Sequence, residues 1–502
     1  MCAIAGVVDY DGISQSHRDW CIEAKKQLKR RGPDQDDIVF GDVYAFSHTR
    51  LAVIDIENGR QPMVYTRGSE EYIIVYNGEL YNSDEIRNEL QHSGHTFKGH
   101  SDTEVVLKAY SQWKDECIKK FNGIFAFAIW EKHSRRLFIA RDRIGVKPFF
   151  YTIKNGVFYF ASEIKGLLCH ENIPCQIDQK GINEIILLGP GRTMGCGVFK
   201  GIKELPMSCC GYFSAENFRI WQYWDYGKEH LPQTFEETSE QIRFLVTDAI
   251  KRQTISDVPL CTFLSGGLDS SLISSVVSRL YNQQGKVLDT FSVEYRDNQK
   301  YFKASKFQPN SDDYYIEQMA KYLQSNHHHI IIDTPELVDA LFAAVDARDL
   351  PGMADVDSSL LLFCKSVKEC ADVALSGECA DEIFGGYPWY RDKDIRMTDG
   401  FPWSQSTAYR KSLLKDEFIA ENCEDFVYDR YKKTISKVKE NSGISPLEKR
   451  MREMMRLNME WFMQVLLDNN NIKENYKTEG LQIVYFYVII INNYFFNKCL
   501  GN

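Results

Sequence analysis

The sequence predicts an α+β domain built mainly of strands, followed by an α/β domain with a doubly wound parallel sheet. Three observations predict this division. At 502 residues the chain is too long for one hydrophobic core. Short strand-forming segments fill the first part, and strands alternate with helices in the second.

The first domain is predicted over residues 2–210. Glycine, asparagine and aspartate separate its strand candidates, which are CAIAGVVDY, VYAFSHTRLAVID, EEYIIVYNGELY, GIFAFAIW, RRLFIARD and GVFYFASE. Helical spacing of apolar residues predicts helices over WCIEAKKQLKRRG, SDEIRNELQHSG and TEVVLKAYSQW. We therefore expect sheets with helices packed outside them.

A linker is predicted over residues 211–237, where aromatic and polar residues mix without periodicity. The second domain is predicted over residues 238–468. Strands such as VPLCTFL, VLDTFSVEY and HHHIIID alternate there with helices such as SLISSVVSRLYN. This alternation predicts a parallel sheet, whose ligands bind at the carboxyl ends of the strands.

Composition and charge limit the classes of function. The net charge of −10 argues against non-specific nucleic-acid binding. The 14 cysteines are scattered without a CxxC pair, and no secretory signal opens the chain, so reduced thiols in the cytoplasm are expected. The longest apolar run, residues 483–491, is too short to span a bilayer. We expect a cytoplasmic protein with neither a nucleic-acid nor a membrane partner.

Cys2 directly follows the initiator methionine in MCAIAGVV. If Met1 is removed, Cys2 carries both a thiol and a free α-amine, and the amine, with a pKa of about 8, can act as the base of the thiol. A cysteine on an apolar strand is otherwise a small buried hydrophobe. This stretch alone leaves both interpretations open.

The string SGGLDSS lies between a predicted strand and a predicted helix. Free amides at a helix N-terminus, glycines and hydroxyls together form an anion site, here made by Ser265, Gly266, Gly267, Ser270 and Ser271. An acid beside a phosphate requires a cation, so Asp269 is predicted to bind Mg²⁺. An ordinary glycine–serine turn that caps a helix is the alternative for a shorter match.

A second acidic cluster follows another apolar strand, in LSGECADEIFGG. Ser376 and Gly377 repeat the small residues, and Glu378, Asp381 and Glu382 place carboxylates within about one helical turn. Helix N-capping is the alternative interpretation. Two such strand ends on one sheet favour a pocket for a nucleotide and a metal ion.

The combination SGGLDSS and SGECADEIFGGY strongly resembles the synthetase domain of glutamine-dependent asparagine synthetases. Earlier motifs resemble the class II glutamine amidotransferase domain of that family: MCAIAGVV, RRGPDQDD, SHTRLAVID, QPM, YNGELYN, SDTEVVL, FNGIFAFAIW and RDRIGVKPFFY. The resemblance extends to about residue 468. It implies an α+β N-terminal-nucleophile sandwich followed by an α/β doubly wound parallel-sheet ATP-pyrophosphatase domain.

The resemblance implies a glutaminase site in the first domain. Cys2 would be the nucleophile that releases ammonia from glutamine, and Asn77 and Gly78 would hold the oxyanion. Arg50 would bind the α-carboxylate of glutamine. Asp102, with Glu79 assisting, would hold the α-ammonium group.

The resemblance implies a synthetase site in the second domain, reached by ammonia inside the protein. ATP would activate aspartate as β-aspartyl-AMP, and ammonia would displace AMP to give asparagine. Leu264 and Val293 would contact the base or ribose, and Glu378 would act on the incoming amine. Pyrophosphate, nucleotide and Mg²⁺ would be held by Ser265, Gly266, Gly267, Ser270, Ser271, Ser376, Gly377, and the metal ligands Asp269 and Asp381. Relatives are often dimers, so a homodimer is expected.

Residues 469–502 depart from the family pattern. This segment lacks a stretch resembling SGLEVRVPF and a later lysine-containing stretch. The sequence therefore leaves three alternatives open: a truncated protein with glutaminase activity alone, an amidotransferase for another carboxylate, or a protein that only binds nucleotide.

Overall fold

The computed structural model describes residues 2–226, 234–304, 311–404, 406–419, 422–438, 444–468 and 481–485. The first part contains two antiparallel sheets, and the second contains one parallel sheet. The predicted fold class is thereby confirmed. None of the helices within these ranges is long and apolar enough to cross a membrane.

Twelve strands and six α-helices form the first domain in the described ranges. The strands are β1 (Ala3–Val8), β2 (Gln35–Phe40), β3 (Tyr44–Arg50), β4 (Met63–Arg67), β5 (Glu70–Leu80), β6 (Gly123–Glu131), β7 (Arg136–Arg141), β8 (Phe150–Lys154), β9 (Val157–Ala161), β10 (Lys203–Glu204), β11 (Cys209–Phe213) and β12 (Phe218–Gln222). The helices are α1 (Gln15–Gln27), α2 (Ser83–His92), α3 (Asp102–Trp113), α4 (Cys117–Lys120), α5 (Ile164–Leu168) and α6 (Gln179–Asn183).

These elements form four layers. One sheet has the order β10-β8-β9-β1-β3-β2 and the other β12-β11-β7-β6-β5-β4. Ile4 and Phe46 of the first sheet pack against Val75 and Ile139 of the second, so the sheets face each other. Helices cover the outer faces, with α1 and α5 on the first sheet and α2, α3 and α4 on the second. Both faces of the central strands are therefore buried.

The predicted start of the linker needs correction. β11 pairs with β7 and β12 pairs with β11, so residues up to Gln222 belong to the second sheet of the first domain. β12 is an edge strand whose side chains are half-buried or exposed. Its sequence therefore shows weak alternation, which is why the pattern suggested a linker there.

Five strands and thirteen α-helices form the second domain in the described ranges. The strands are β13 (Leu260–Phe263), β14 (Asp289–Tyr295), β15 (Asn326–Ile332), β16 (Val373–Ser376) and β17 (Gln482–Tyr485). The helices are α7 (Phe235–Gln253), α8 (Leu268–Gln283), α9 (Asn298–Tyr301), α10 (Asp313–Leu323), α11 (Thr334–Arg348), α12 (Asp355–Lys368), α13 (Ala380–Phe384), α14 (Pro388–Arg391), α15 (Lys393–Arg396), α16 (Thr407–Ser412), α17 (Cys423–Ile435), α18 (Pro446–Leu457) and α19 (Met463–Asp468).

The parallel sheet has the order β15-β14-β13-β16-β17. Its central neighbours β13 and β16 place the two predicted ligand loops, after residues 263 and 376, at the same edge. This edge is where ligands of open parallel sheets bind.

The segment 469–502, which departs from the family pattern, contributes the edge strand β17. Val373 to Ser376 of β16 pair in parallel register with Gln482 to Tyr485. Ile483 and Val484 are buried in the core of the second domain. Burial of these apolar side chains gives β17 its favourable free energy of packing.

Candidate functional sites

One pocket collects all six residues that the resemblance assigns to glutamine chemistry. Its walls include Cys2, Arg50, Asn77, Gly78, Glu79, Asp102, Leu51, Gln61 and Gln482. The first six come from the segment before β1, from the end of β3, from β5 and from the start of α3. The antiparallel register brings together residues that lie far apart in the sequence.

Cys2 lies immediately before β1, and two hydrogen bonds hold it there. Its Sγ donates to the Leu51 carbonyl oxygen at 3.7 Å, and its own carbonyl oxygen accepts a bond from Arg31 Nε at 3.2 Å. Burial raises the pKa of the Cys2 thiol, whereas the hydrogen bond to the Leu51 backbone and the charge of Arg50 lower it. The Arg50 cation therefore favours the thiolate.

Asn77 and Gly78 lie side by side on β5. The Asn77 side chain is fully buried, and neither Oδ1 nor Nδ2 has a hydrogen-bond partner among the described residues. A Cβ atom on Gly78 would lie 2.5 Å from the Ile124 carbonyl oxygen, so only glycine fits there. A buried amide without a partner costs free energy unless a ligand completes its hydrogen bonds, and Nδ2 is a suitable donor to a developing oxyanion.

Arg50 is the last residue of β3, and backbone carbonyl oxygens hold its guanidinium in place. Its nitrogens donate to the carbonyl oxygens of Ile54, Asp55 and Ile56 at 2.7–2.9 Å. The loop after β3 thus fixes the position of the cation. A fixed guanidinium on the pocket wall is suited to attract a carboxylate.

Glu79 and Asp102 form a pair of buried acids. Asp102 accepts bonds from the Leu80 amide at 2.9 Å and from Tyr76 Oη at 3.0 Å. Burial, with repulsion from Asp102 second, raises the pKa of Glu79 to about 8. Burial also raises the pKa of Asp102. Two carboxyl groups that repel each other favour a cationic ligand such as an ammonium group.

The loop after β13 has the geometry expected of an anion site. Ser265 and Ser270 hydroxyls lie 3.0 Å apart, and the Ser265 amide donates to Ser270 Oγ at 3.1 Å. Gly266 has a φ of +74°, which favours glycine. Gly267 is the N-cap residue of α8 and has no side chain that could bond to the first amides of the helix. Ser271 lies in the first turn of α8. The helix amides of the first turn therefore face the loop.

The loop after β16 meets this first loop. A Cβ atom on Gly377 would lie 3.1 Å from the Ser270 amide nitrogen. The Glu378 amide donates to Ser376 Oγ at 3.3 Å, which holds the turn that begins the acidic cluster. Leu264 donates its amide to the Phe291 carbonyl at 2.8 Å, and Val293 continues β14 beside it. The sheet edge thus brings the predicted nucleotide residues into one region.

Asp269 and Asp381 lie on the two loops, near enough for their charges to repel each other. Burial first, and then repulsion from Asp269, raises the pKa of Asp381. A Cβ atom on Gly386 would lie 1.7 Å from Asp381 Oδ1, so glycine leaves the space for this carboxylate. The described residues contain no cluster of three or more metal-ligating side chains. Two carboxylates nonetheless suit Mg²⁺, which protein sites commonly bind with one or two acids and substrate phosphates.

Two residues of these sites were given no role from the sequence. Glu382 is fully buried and accepts a bond from Tyr387 Oη, and burial raises its pKa to about 7. Its motif drew attention to it, but a buried position could not be deduced from the motif. Gln482 lies on the wall of the glutamine pocket. No local pattern marks it, because the segment around it carries no recognised motif.

Comparison with known proteins gives two family matches. A family model described as "Glutamine amidotransferase domain" matches residues 1–224, and one described as "Asparagine synthase" matches residues 241–474. A solved structure titled "Structure of the allosteric regulatory enzyme of purine biosynthesis" shares 12% identity at a TM-score of 0.34, covering 66% of this chain and 80% of that one. That score is too low to support a conclusion.

Several curated proteins are similar along most of the chain. "Asparagine synthetase [glutamine-hydrolyzing] 3" of Bacillus subtilis is 46% identical over 94% of this chain and 77% of its own length. "Asparagine synthetase [glutamine-hydrolyzing] 1" of the same organism is 33% identical over 78% of this chain and 60% of its own length. A putative asparagine synthetase of Methanocaldococcus jannaschii is 32% identical over 77% of this chain and 76% of its own length.

Proposed function

The chain belongs to the glutamine-hydrolysing asparagine synthetases, which form asparagine with glutamine nitrogen and ATP, and we propose how its two sites divide that reaction. The first domain releases ammonia from glutamine. The second domain activates aspartate with ATP and receives the ammonia. The observation that carries this division is the single pocket that contains Cys2, Asn77, Arg50 and Asp102.

In the first site, Cys2 attacks the carboxamide carbon of glutamine after removal of Met1. Its α-amine accepts the thiol proton and passes it to the departing ammonia, and water then hydrolyses the thioester to glutamate. Asn77 Nδ2 and the Gly78 amide stabilise the oxyanion of each tetrahedral intermediate. Arg50 binds the α-carboxylate, and Asp102 and Glu79 bind the α-ammonium group.

In the second site, the β-carboxylate of aspartate attacks the α-phosphorus of ATP, and pyrophosphate leaves. Ammonia then attacks the β-carbonyl carbon, AMP departs, and Glu378 accepts the excess proton. The loop residues Ser265 to Ser271, with Ser376 and Gly377, position the phosphates, and Leu264 and Val293 contact the nucleoside. Asp269 and Asp381 would hold Mg²⁺, which neutralises phosphate charge when it is bound.

The experiment that tests this division is a Cys2→Ala substitution in the full-length chain. We expect glutamate release from glutamine to fall to background, while AMP and asparagine still form from ATP, Mg²⁺, aspartate and ammonium. The intact mass of the wild-type protein reports whether Met1 has been removed. Glutamate release that survives in the variant would overturn the role of Cys2. Absence of AMP with ammonium in the wild type would overturn the role of the second site.

We also infer a cytoplasmic homodimer, since the chain's charge and cysteine usage suit the cytoplasm and the resemblance suggests dimers. Size-exclusion chromatography with light scattering measures the assembly. A monomer at micromolar concentration would overturn this inference.

A further inference from the structure

A side chain of the second domain enters the glutamine pocket of the first. Gln482 opens β17, where its amide donates to the Asp372 carbonyl oxygen at 2.8 Å and it pairs with Val373 of β16. Its side chain is buried, and Nε2 donates to Glu79 Oε1 at 3.2 Å. The parallel sheet therefore holds a hydrogen-bond donor against a carboxyl group of the other domain.

Glu79 is surrounded by groups that affect its charge. Asp102, from α3, faces it and disfavours a second negative charge. The hydrogen bond from Gln482 favours that charge, as does the charge of Lys147. The Cys2 thiol and the hydroxyls of Tyr76 and Tyr81 also interact electrostatically with Glu79. Gln482 is distinguished from these groups by the hydrogen bond that it donates directly to Glu79.

We propose that Gln482 is a positioning residue for glutamine binding, whose amide orients the Glu79 carboxylate toward the α-ammonium group of the substrate. This role rests on the proposed function of Glu79. Gln482 itself touches neither the thiol nor the scissile carboxamide in this assignment. It acts on substrate affinity through Glu79, and β17 holds it in place.

A physical argument links this contact to the pH dependence of substrate binding. A hydrogen bond donated to an ionised carboxylate favours the ionised form, so loss of the donor raises the pKa of Glu79 further. At neutral pH a smaller fraction of Glu79 is then ionised, so fewer protein molecules carry the negative charge that binds an ammonium group. Each unit of such a shift weakens binding below the pKa by about tenfold. Cys2, Asn77 and Gly78 keep their places, so kcat is expected to stay close to its wild-type value.

The test compares Gln482→Met with a matched control, Gln464→Met. Both glutamines extend from the second domain to the first, but Gln464 donates to the Ile144 carbonyl oxygen at 2.8 Å. Glutamate release is measured as KM and kcat between about pH 6 and pH 9. We expect Gln482→Met to raise the KM for glutamine by about tenfold at neutral pH. The acid limb of the profile of kcat/KM against pH should move to higher pH by about one pH unit. Gln464→Met is expected to keep the wild-type KM and the wild-type position of the acid limb.

The outcomes separate this proposal from the proposed function. A wild-type KM and acid limb in Gln482→Met, or a loss of kcat alone, overturns the positioning role. Gln482→Asn shortens the side chain by one methylene and serves as the second variant if the first does not fold, with the same expected rise in KM. If Cys2→Ala retains glutaminase activity, the proposed function fails. If only the Gln482 variants behave as wild type, the failure is confined to the present inference.

Discussion

Gly377 and Asp269 touch across the gap between two neighbouring strand ends. A Cβ atom on residue 377 would lie 3.2 Å from the Cβ of Asp269, closer than ordinary van der Waals contact allows. The absence of a side chain at this position therefore lets the two loops meet. The relationship joins the predicted pyrophosphate loop to the acidic cluster as one surface.

Gly377→Ala is expected to separate these loops. The added Cβ requires a shift of a few tenths of an ångström. Because a displacement on the order of 1 Å at a reacting centre can lower a rate by about 100-fold, we expect this smaller shift to lower AMP formation with ammonium by up to about tenfold. Glutamate release should stay at the wild-type rate. Gly400→Ala is the control, because no atom lies within 4 Å of its added Cβ. Equal AMP formation in both variants would contradict the prediction.

Asn77→Ala is expected to lower kcat for glutamate release by about 10²- to 10³-fold, because it removes one donor to the oxyanion. The variant should melt no lower than the wild type, because the lost amide is buried without a partner among the described residues. Asn183 is equally buried and its amide also has no partner there, but it lies on α6. Asn183→Ala should leave glutaminase kinetics unchanged. A comparable loss of kcat in both variants would argue against an oxyanion role.

Glu79→Gln is expected to change how stability depends on pH. In the folded protein the pKa of Glu79 is raised to about 8, from a usual value of 4.5. The folded state therefore binds more protons than the unfolded state between these values, and the stability that this supplies at low pH is lost as pH rises through about 8.

The measurement for Glu79→Gln is the melting temperature at about pH 5 and about pH 8.5. These two values enclose most of the pH range between the usual pKa of Glu79 and its raised pKa in the folded protein. The wild type should lose more stability than the variant between the two conditions. Glu57→Gln, at an exposed position, should follow the wild type. Parallel curves for wild type and Glu79→Gln would show that Glu79 ionises normally. The same variant should also bind glutamine more weakly, which the KM reports.

Local sequence was sufficient to predict the fold class, and its motifs indicated candidate residues that the structure brings together in two places. Asn77 and Gly78 lie in one motif on one strand, and the loops containing Ser265 and Gly377 each follow a strand of a parallel sheet. The strand-end rule is a local property, so it indicates the two loops without tertiary information, whereas the roles of Asn77 and Gly78 follow only from the family resemblance.

Other features depend on contacts that no local pattern encodes. The first domain continues to Gln222 because β12 pairs at an edge, where weak burial leaves weak alternation. The contact between Gln482 and Glu79 joins positions 403 residues apart in the chain. The packing of the two domains against each other determines this contact, and sequence periodicity carries no information about it.

The position of β17 has a consequence for biosynthesis. Domains fold largely in order as a chain leaves the ribosome, so the two sheets of the first domain can form while most of the second domain is still unmade. Gln482 is translated only after the other four strands of the parallel sheet. We therefore expect a nascent first domain to be folded yet to bind glutamine weakly. Hydrolysis of glutamine would then gain efficiency only when the domain that consumes the ammonia has also been made.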